Sequence, residues 1–437
     1  MDPVLLARIQ FAVTVGFHFI FPPLTIGMGW LIFYFMNRYR KTKDEFIKGI
    51  ARFWIKIFAL TFAVGVATGI VLEFQFGTNW AAYSRFVGDI FGAPLAAEGI
   101  FAFFLESTFV GVLIWGWKRF SARTLWFASL MVAVGATLSA FWIIVANSWM
   151  QTPTGYEVVG GRAELTDFWA AVFNPSTLPR YLHTVVACLI TGAFFMMGIS
   201  AWYLIKQKHV EFAKRSLKVS LVAGFIAALL QLPLGHYHAV QVAQTQPEKL
   251  AAFEGLFETQ KEAPLLIFGI PDAEERTVHA AVKIPGLLSF LVGFDTQTEV
   301  KGLNDFPQDE WPPLGLTFYS FHLMFILGLY FIGLTALGLF LLWRKKLFDN
   351  KLFATLAFFS IPLPLVANEL GWIAAEVGRQ PWIVYRLLRT SEAISVTVPA
   401  GQILASLIMF SAIYLLLGAL WVFLLRREVK KGPEVAS

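Results

Sequence analysis

The chain has 437 residues, of which 57% are hydrophobic, 16% aromatic and only 15% charged. Soluble domains carry about 25% charged residues, so this chain has too little charge to cover a water-facing surface. Its net charge of +6 comes from short basic clusters between apolar runs, a pattern typical of membrane topology signals rather than of a nucleic-acid partner. The single cysteine, Cys188, excludes disulfides within the chain, zinc sites of several cysteines and cysteine-ligated iron–sulfur clusters.

Apolar runs of membrane-spanning length predict an all-α membrane protein with about nine transmembrane helices. We interpret the first run as a span and not as a cleavable signal peptide. No basic region precedes it, and it is longer than the hydrophobic region of a signal peptide. The predicted spans are 9–36, 53–76, 95–117, 125–147, 183–205, 217–239, 317–343, 352–375 and 403–425.

Basic residues cluster in alternate connections between these spans. The intervening connections are longer and much less basic. By the positive-inside rule this alternation places the N-terminus outside and the C-terminus in the cytoplasm. The basic clusters lie at 38–52, 118–123, 206–215, 344–351 and 426–431.

The connections divide the chain into three predicted segments. Residues 1–239 hold the first six spans and an outer loop at 148–182 that is rich in tryptophan and proline. Residues 240–316 form the only large hydrophilic segment, and a connection of this length without a clear core of its own is usually functional or mobile. Residues 317–437 supply the last three spans and a short cytoplasmic tail.

Ionisable groups within a span are costly to bury, so each is a functional candidate. His183 and Met324 lie near the outer ends of their spans, and imidazole and thioether groups are common axial ligands of haem iron. A methionine in a span also serves as packing, and a histidine also suits a proton relay. For His18 the options of ligand, relay and hydrogen-bonded core residue remain open.

Two carboxyl groups lie eight residues apart in the third predicted span. On an ideal helix Glu98 and Glu106 share broadly one face, about 12 Å apart. Buried carboxyls in line favour a proton path, because burial disfavours their charged forms. The alternative is that each carboxyl only bonds a neighbouring helix.

The sequence Gly-Trp-Ile-Ala-Ala-Glu-Val-Gly-Arg-Gln-Pro-Trp at 371–382 predicts a helix that ends at the membrane interface. Glu376 and Arg379 are three residues apart, close enough to interact on the last turn. An arginine at this depth suits a carboxylate or a propionate. The simpler interpretation is a local ion pair between tryptophan anchors.

Segment 371–382 resembles the GWxxxExGRQPW signature of subunit I of the cytochrome bd-type quinol oxidases. The resemblance runs essentially from end to end, and the short hydrophilic segment is similar to the short-quinol-loop branch, some members of which are described as cyanide-insensitive. The other matching segments are 8–11 with His18, 97–99, 103–109, 182–184 and 246–254.

The resemblance implies three haems. His183 and Met324 would ligate a low-spin haem b that accepts electrons from quinol. His18 and Glu376 would each serve one of two further haems, a high-spin haem b and either haem d or another haem b. The sequence does not say which residue holds which haem.

The resemblance also implies roles for the remaining candidates. Arg379 would face haem propionates, and Trp372 would line the same haem site. Glu98 and Glu106 would belong to the proton route and the haem surroundings, and Lys249 and Glu254 to the quinol-binding loop. In one departure, His322 stands two residues before Met324, where the family often has arginine.

The implied function is that of a terminal oxidase in a bacterial or archaeal cell membrane. Quinol would be oxidised at the outer face and dioxygen reduced to water with cytoplasmic protons, which generates a proton-motive force without pumping. The partners would be the lipid bilayer and a homologous membrane subunit II, and whether a small single-span subunit joins them is left open.

The alternative hypothesis is a proton-coupled transporter or channel that uses the same Glu and His groups as a relay. Haem–copper oxidases need a larger histidine set around copper, and bc-type cytochromes b need paired histidines on two helices. The seven histidines here supply neither pattern.

Overall fold

A computed structural model describes residues 2–434 of the chain. Nine helices within these residues are long and apolar enough to cross a membrane, which confirms the predicted fold class. Met1 and residues 435–437, the end of the predicted tail, lie outside the described residues. In chain order the spans are Pro3–Thr42, Glu45–Thr78, Ala81–Lys118, Ala122–Gln151, Thr177–Ile205, Val210–Thr245, Leu314–Trp343, Lys351–Val377 and Ala400–Lys431.

Two spans are interrupted by proline. The first consists of helices Pro3–His18 and Phe21–Thr42, and the eighth of helices Lys351–Phe359 and Leu363–Val377. Proline has no N–H to donate and its ring clashes with the preceding turn, so each second helix starts beside prolines. The first break leaves His18 as the last residue of its helix.

The third span changes from an α-helix to a π-helix at Glu98. It runs as helix Ala81–Ala97, π-helix Glu98–Phe103, helix Phe104–Trp115 and a 3₁₀ turn, Gly116–Lys118. The sequence pattern did not predict this π-helix. Such π segments are rare and occur frequently at functional sites.

The fifth span lies at the centre of the bundle and the ninth at its edge. In their most apolar windows, 78% of the fifth span is buried within the chain but only 6% of the ninth. The fifth packs closely on the first, since a Cβ at Gly192 would collide with the backbone at Gly27. The apolar face of the ninth span is therefore left for lipid or another subunit.

The longer connections carry antiparallel hairpins and short helices. The predicted segment 240–316 packs a small apolar cluster that includes Leu250, Phe257 and Leu288, so the expectation that it lacks a core of its own is wrong. The strands are β1 Tyr156–Val159, β2 Arg162–Leu165, β3 Leu265–Asp272, β4 Thr277–Ile284, β5 Trp382–Val384 and β6 Leu388–Arg389, paired β1–β2, β3–β4 and β5–β6. The helices outside the spans are Phe168–Val172, Pro247–Glu254 and Leu287–Gly293, with 3₁₀ turns at Leu303–Asp305, Gln308–Glu310, Leu347–Asp349 and Thr390–Glu392.

The connections after the fourth, sixth and eighth spans meet at one end of the bundle. Tyr385 donates its backbone N–H to Met150 O at 2.9 Å and its hydroxyl to a carboxylate oxygen of Glu248 at 2.6 Å. Arg389 pairs with Asp309 at 2.7 Å. These contacts bring the predicted outer loop and the hydrophilic segment together beside the last turn of the eighth span.

Candidate haem and quinol site

A single cavity of about 1820 Å³ extends between the spans and reaches the helix Pro247–Glu254. Pockets for one small ligand usually measure about 300–1,000 Å³, so this cavity has room for more than one large group. All ten predicted site residues line it, namely His18, Glu98, Glu106, His183, Lys249, Glu254, Met324, Trp372, Glu376 and Arg379.

His183 presents an imidazole without a fixed acceptor for its proton. The amide nitrogen of Gln231 lies 3.1 Å from Nε2 and 3.2 Å from the backbone oxygen of His183. Over residues 2–434, buried Nδ1 has no hydrogen-bond partner. Because an amide nitrogen only donates, Gln231 meets the lone pair on Nε2 and the proton is on Nδ1, where it has no acceptor. Nε2 is the atom that haem iron would take, in place of the Gln231 amide.

Met324 faces the eighth span at a position that admits no side chain. A Cβ on Gly371 would lie 2.9 Å from the Met324 sulfur, closer than non-bonded atoms approach. Gly371 therefore leaves room for the thioether at the cavity wall. The simpler alternative, that Met324 only packs, is satisfied by the same geometry, so its ligand role remains a prediction.

Thr68 orients the imidazole of His18. Its hydroxyl oxygen lies 3.0 Å from Nδ1 of His18 and also 3.0 Å from the carbonyl oxygens of Val64 and Gly65. Because the hydroxyl proton is directed to these carbonyls, its oxygen accepts from Nδ1–H. The lone pair of the imidazole is then on Nε2, the arrangement that a second shell gives a metal-binding histidine.

Because His18 is a candidate iron ligand, Thr68→Val is expected to weaken haem retention, since valine keeps the shape of threonine but loses the oxygen. Loss of an outer partner typically costs about 10–100-fold in metal affinity. Haem content per mole of purified protein measures the effect. The control is Thr335→Val, since the hydroxyl of buried Thr335 bonds only the carbonyls of its own helix. Equal haem content in both variants would refute the orienting role.

Glu376 lies among basic groups at the end of the eighth span. Arg379 contacts one carboxylate oxygen at 2.6 Å, which confirms the predicted proximity, and Arg180 lies 3.5 Å from the other oxygen. Gln151 donates to the Arg180-facing oxygen at 3.3 Å. The carboxylate is thus held from the fourth, fifth and eighth spans together.

The same basic groups fit an anionic ligand in addition to Glu376. Arg379 is only 4% exposed, and its Nε donates to Trp382 O at 3.2 Å. Its buried Nη1 has no partner in the part of the chain that the structure describes. Two guanidinium groups and one carboxylate leave positive charge uncompensated, and arginine binds planar carboxylates well. Haem propionates fit this position.

Glu98 and Glu106 both line the cavity, Glu98 as the first residue of the π-helix and Glu106 in the helix that follows it. Glu98 accepts a hydrogen bond from Ser139 at 2.6 Å. Glu106 is buried, and among the described residues its Oε1 has no partner. The alternative to a proton path, in which each carboxyl only bonds a neighbouring helix, therefore holds for Glu98 but does not account for Glu106.

Lys249 and Glu254 lie on one short helix but face different neighbours. Lys249 is buried and donates to the side-chain oxygens of Gln151, at 2.6 Å, and Gln246. Burial lowers the pKa of Lys249 well below its usual value, and the nearby arginines lower it further. Glu254 instead faces β3, where Leu266 N–H donates to it at 3.4 Å. Burial raises the pKa of Glu254 to about 8.

His322 ties the seventh span to β3. Its two ring nitrogens each lie 3.0 Å from a carbonyl oxygen, one of Phe318 and one of Leu266. Since the N–H of Leu266 also donates to Glu254, His322 and Glu254 both bond the same residue of β3.

Several polar residues that line the cavity were not predicted from the sequence. Most of them lie near the ends of the fourth and fifth spans, where hydrophobic runs give way to polar residues and no spacing distinguishes a site residue from an interfacial one. Gln231 lies within the sixth span. Arg180, close to His183, was the one detectable signal, as a lone arginine at the start of an apolar run. The missed residues are Asn147, Gln151, Arg180 and Gln231.

Comparisons with known proteins agree with this geometry. Residues 6–433 match the family model "Cytochrome bd terminal oxidase subunit I". The chain is 42% identical to cytochrome bd ubiquinol oxidase subunit 1 of Bacillus subtilis (strain 168), over 99% of this chain and 95% of the relative. It is 36% identical to cytochrome bd-II ubiquinol oxidase subunit 1 of Escherichia coli (strain K12), over 99% and 97%.

The fold matches a solved structure of the same kind. Against the bd oxidase from Geobacillus thermodenitrificans the TM-score is 0.93 at 32% identity, with 99% of each chain covered. The family match, the full-length relatives and this structural likeness all cover the cavity and its ten candidate residues. The chain belongs to the cytochrome bd terminal oxidase subunit I family.

Proposed function

We propose that this chain is the haem-bearing subunit of a terminal quinol:oxygen oxidoreductase of the bacterial cell membrane. The observation that carries the proposal is one continuous cavity of about 1820 Å³, which is lined by four candidate iron ligands and by both quinol-loop candidates. Family membership favours the oxidase over a proton-coupled transporter or channel, the alternative that used the same carboxyls and histidines.

Within this function, His183 and Met324 would hold a low-spin haem b, and His18 and Glu376 the two haems at the site of dioxygen reduction. These two are a high-spin haem b and either haem d or a further haem b. Bound haem supplies iron that accepts electrons and reduces dioxygen. Arg379, Arg180 and Trp372 would surround the haem edges, with the guanidinium groups opposite propionates.

Proton transfer would use two groups of carboxyls. Glu254 takes a proton as quinol is oxidised in the segment 240–316, and Glu98 and Glu106 carry protons toward the site of dioxygen reduction. With the basic connections in the cytoplasm, the segment 240–316 lies outside and the Glu98–Glu106 path serves the inside. Charge separation by these two routes generates a proton-motive force without pumping.

The enzyme works as a complex with a second membrane subunit, and the homologous subunit II is the partner that we propose. The exposed ninth span and the exposed face of the third span suit contact with lipid and with this subunit. A small single-span subunit is a further candidate on the same grounds.

Oxygen consumption by the purified complex tests the function directly. We expect added quinol to drive oxygen uptake at a rate that is proportional to the haem content of the preparation. A complex that contains both subunits and haem but consumes no oxygen with either ubiquinol or menaquinol would refute the proposal.

Glu254→Gln tests the proposed proton acceptor. A carboxyl whose pKa burial raises to about 8 accepts a proton only when it is ionised, so kcat/KM for quinol should rise with pH through about 8. The variant should lose this rise and about 10²–10⁴-fold in kcat/KM, with haem content unchanged. Glu274→Gln, at an exposed position of the β3–β4 turn, is the control. An unchanged pH profile in Glu254→Gln would exclude this residue as the acceptor.

A further inference from the structure

Gln151 is the last residue of the fourth span and is almost fully buried, with 2% exposure. Its side-chain oxygen accepts from Lys249 Nζ at 2.6 Å. Its amide nitrogen lies 3.3 Å from both Ala375 O and a carboxylate oxygen of Glu376 and donates toward them. One amide group therefore contacts the quinol loop with its oxygen and the candidate haem carboxylate with its nitrogen.

The second partner of Lys249 also depends on Gln151. Gln246 accepts from Lys249 Nζ, and its own amide nitrogen donates to the backbone oxygen of Gln151 at 3.1 Å. Lys249 forms no salt bridge within 4.0 Å to any carboxylate among the described residues. The hydrogen-bonded route from Lys249 to Glu376 thus runs through the side chain of Gln151.

This route is rigid as well as short. Lys249 is 3% exposed, and the helix Pro247–Glu254 that carries it packs on the seventh span and on the end of the sixth. Glu376 is fixed by two arginines in addition to Gln151. Loss of the bond to Lys249 would leave the buried side-chain oxygen of Gln151 without a partner, which costs free energy, so we expect Gln151 to follow a displacement of Lys249.

We propose that Gln151 is a positioning residue that couples Lys249 of the quinol loop to the carboxylate of Glu376. Occupation of the loop by quinol shifts Lys249, and Gln151 passes the shift to the hydrogen bonding of Glu376. The proposal rests on the proposed function and adds a coupling between its two sites.

A double-mutant cycle on the purified two-subunit complex tests the coupling. Lys249→Met and Gln151→Leu are made singly and together, and the reduced-minus-oxidised haem spectrum and the KM for quinol are measured. We expect each single variant to change the spectrum of the high-spin haems and to raise the KM about threefold or more. In the double variant the effects should not add, because both substitutions break the same route.

Two further variants separate the interaction of Lys249 with its acceptors from the interaction of Gln151 with Glu376. Gln151→Glu keeps an acceptor for Lys249 but loses the donor to Glu376, so it should change the haem spectrum with little change in KM. Gln246→Met removes the other acceptor of Lys249 and the donor to the backbone oxygen of Gln151, but it leaves the side-chain bonds of Gln151 to Lys249 and Glu376 in place. It should therefore raise the KM with the spectrum unchanged. These two variants decide the question if Gln151→Leu fails to assemble.

Additive effects in the cycle, or a haem spectrum unchanged in both Lys249→Met and Gln151→Glu, would overturn the coupling. The wild-type complex is measured in the same series. If it lacks haem or quinol-driven oxygen uptake, the proposed function fails; if it is active and the variants are additive, only the coupling fails.

Discussion

Replacing Gly371 with alanine is expected to displace Met324 and to convert the low-spin haem to a high-spin form. The added Cβ would lie 2.9 Å from the thioether sulfur, so the sulfur has to move away from its place at the cavity wall. The sulfur lies near the end of a flexible side chain and is the only atom within 3 Å of that Cβ, so we expect the effect on the position of the sulfur rather than on stability. The low-spin band in the reduced-minus-oxidised spectrum measures the loss, and Met324→Leu should give the same spectrum.

The matched control is Gly333→Ala in the seventh span, where a Cβ would meet no atom within 4 Å. Alanine at that position should leave the spectrum intact and leave stability unchanged or slightly improved. A normal low-spin spectrum in Gly371→Ala and in Met324→Leu would contradict the assignment of Met324 as a ligand.

Replacing Glu376 with alanine is expected to remove one haem and to destabilise the complex strongly. The substitution leaves the buried Arg379 and the partly buried Arg180 without their shared carboxylate. Removing one partner of a buried ion pair costs about 3–5 kcal/mol, because the remaining charge is uncompensated. Haem content and the thermal unfolding midpoint of the purified complex measure the two effects.

Glu376→Gln separates these effects, since it keeps the shape and one acceptor oxygen but removes the charge. It should assemble better than the alanine variant and still lose haem. Glu157→Ala, at an exposed position of β1 on the same end of the bundle, should change neither quantity. Full haem content in Glu376→Gln would remove Glu376 from the ligand set.

The nine spans were predictable because the bilayer imposes one length and one composition on every helix that crosses it. The prolines at 22 and 362 were visible in the sequence, but a proline within a span either kinks or ends a helix, and the surrounding packing decides between them. The π-helix at Glu98–Phe103 had no signal, because its apolar residues also suit an α-helix.

The candidate site was predictable for residues whose chemistry is unusual in hydrocarbon. His183, Glu106 and Glu376 stood out because ionisable groups are rare within spans. Gln151 did not stand out, because a polar residue such as glutamine is common at the end of a span. Its hydrogen-bond partners Lys249 and Glu376 also lie 98 and 225 residues away in the sequence. The burial of the Lys249 side chain could not be predicted from the sequence either, because it depends on how the helix Pro247–Glu254 packs on the seventh span.

The central claim is that the cavity holds three haems, and cofactor extraction from the purified complex tests it most directly. A pyridine haemochrome assay, combined with the reduced-minus-oxidised spectrum, counts the haems and separates haem b from haem d. We expect three haems per copy of this chain, one of them low-spin and lost in His183→Ala. A complex that is folded and contains both subunits but no haem would contradict the account.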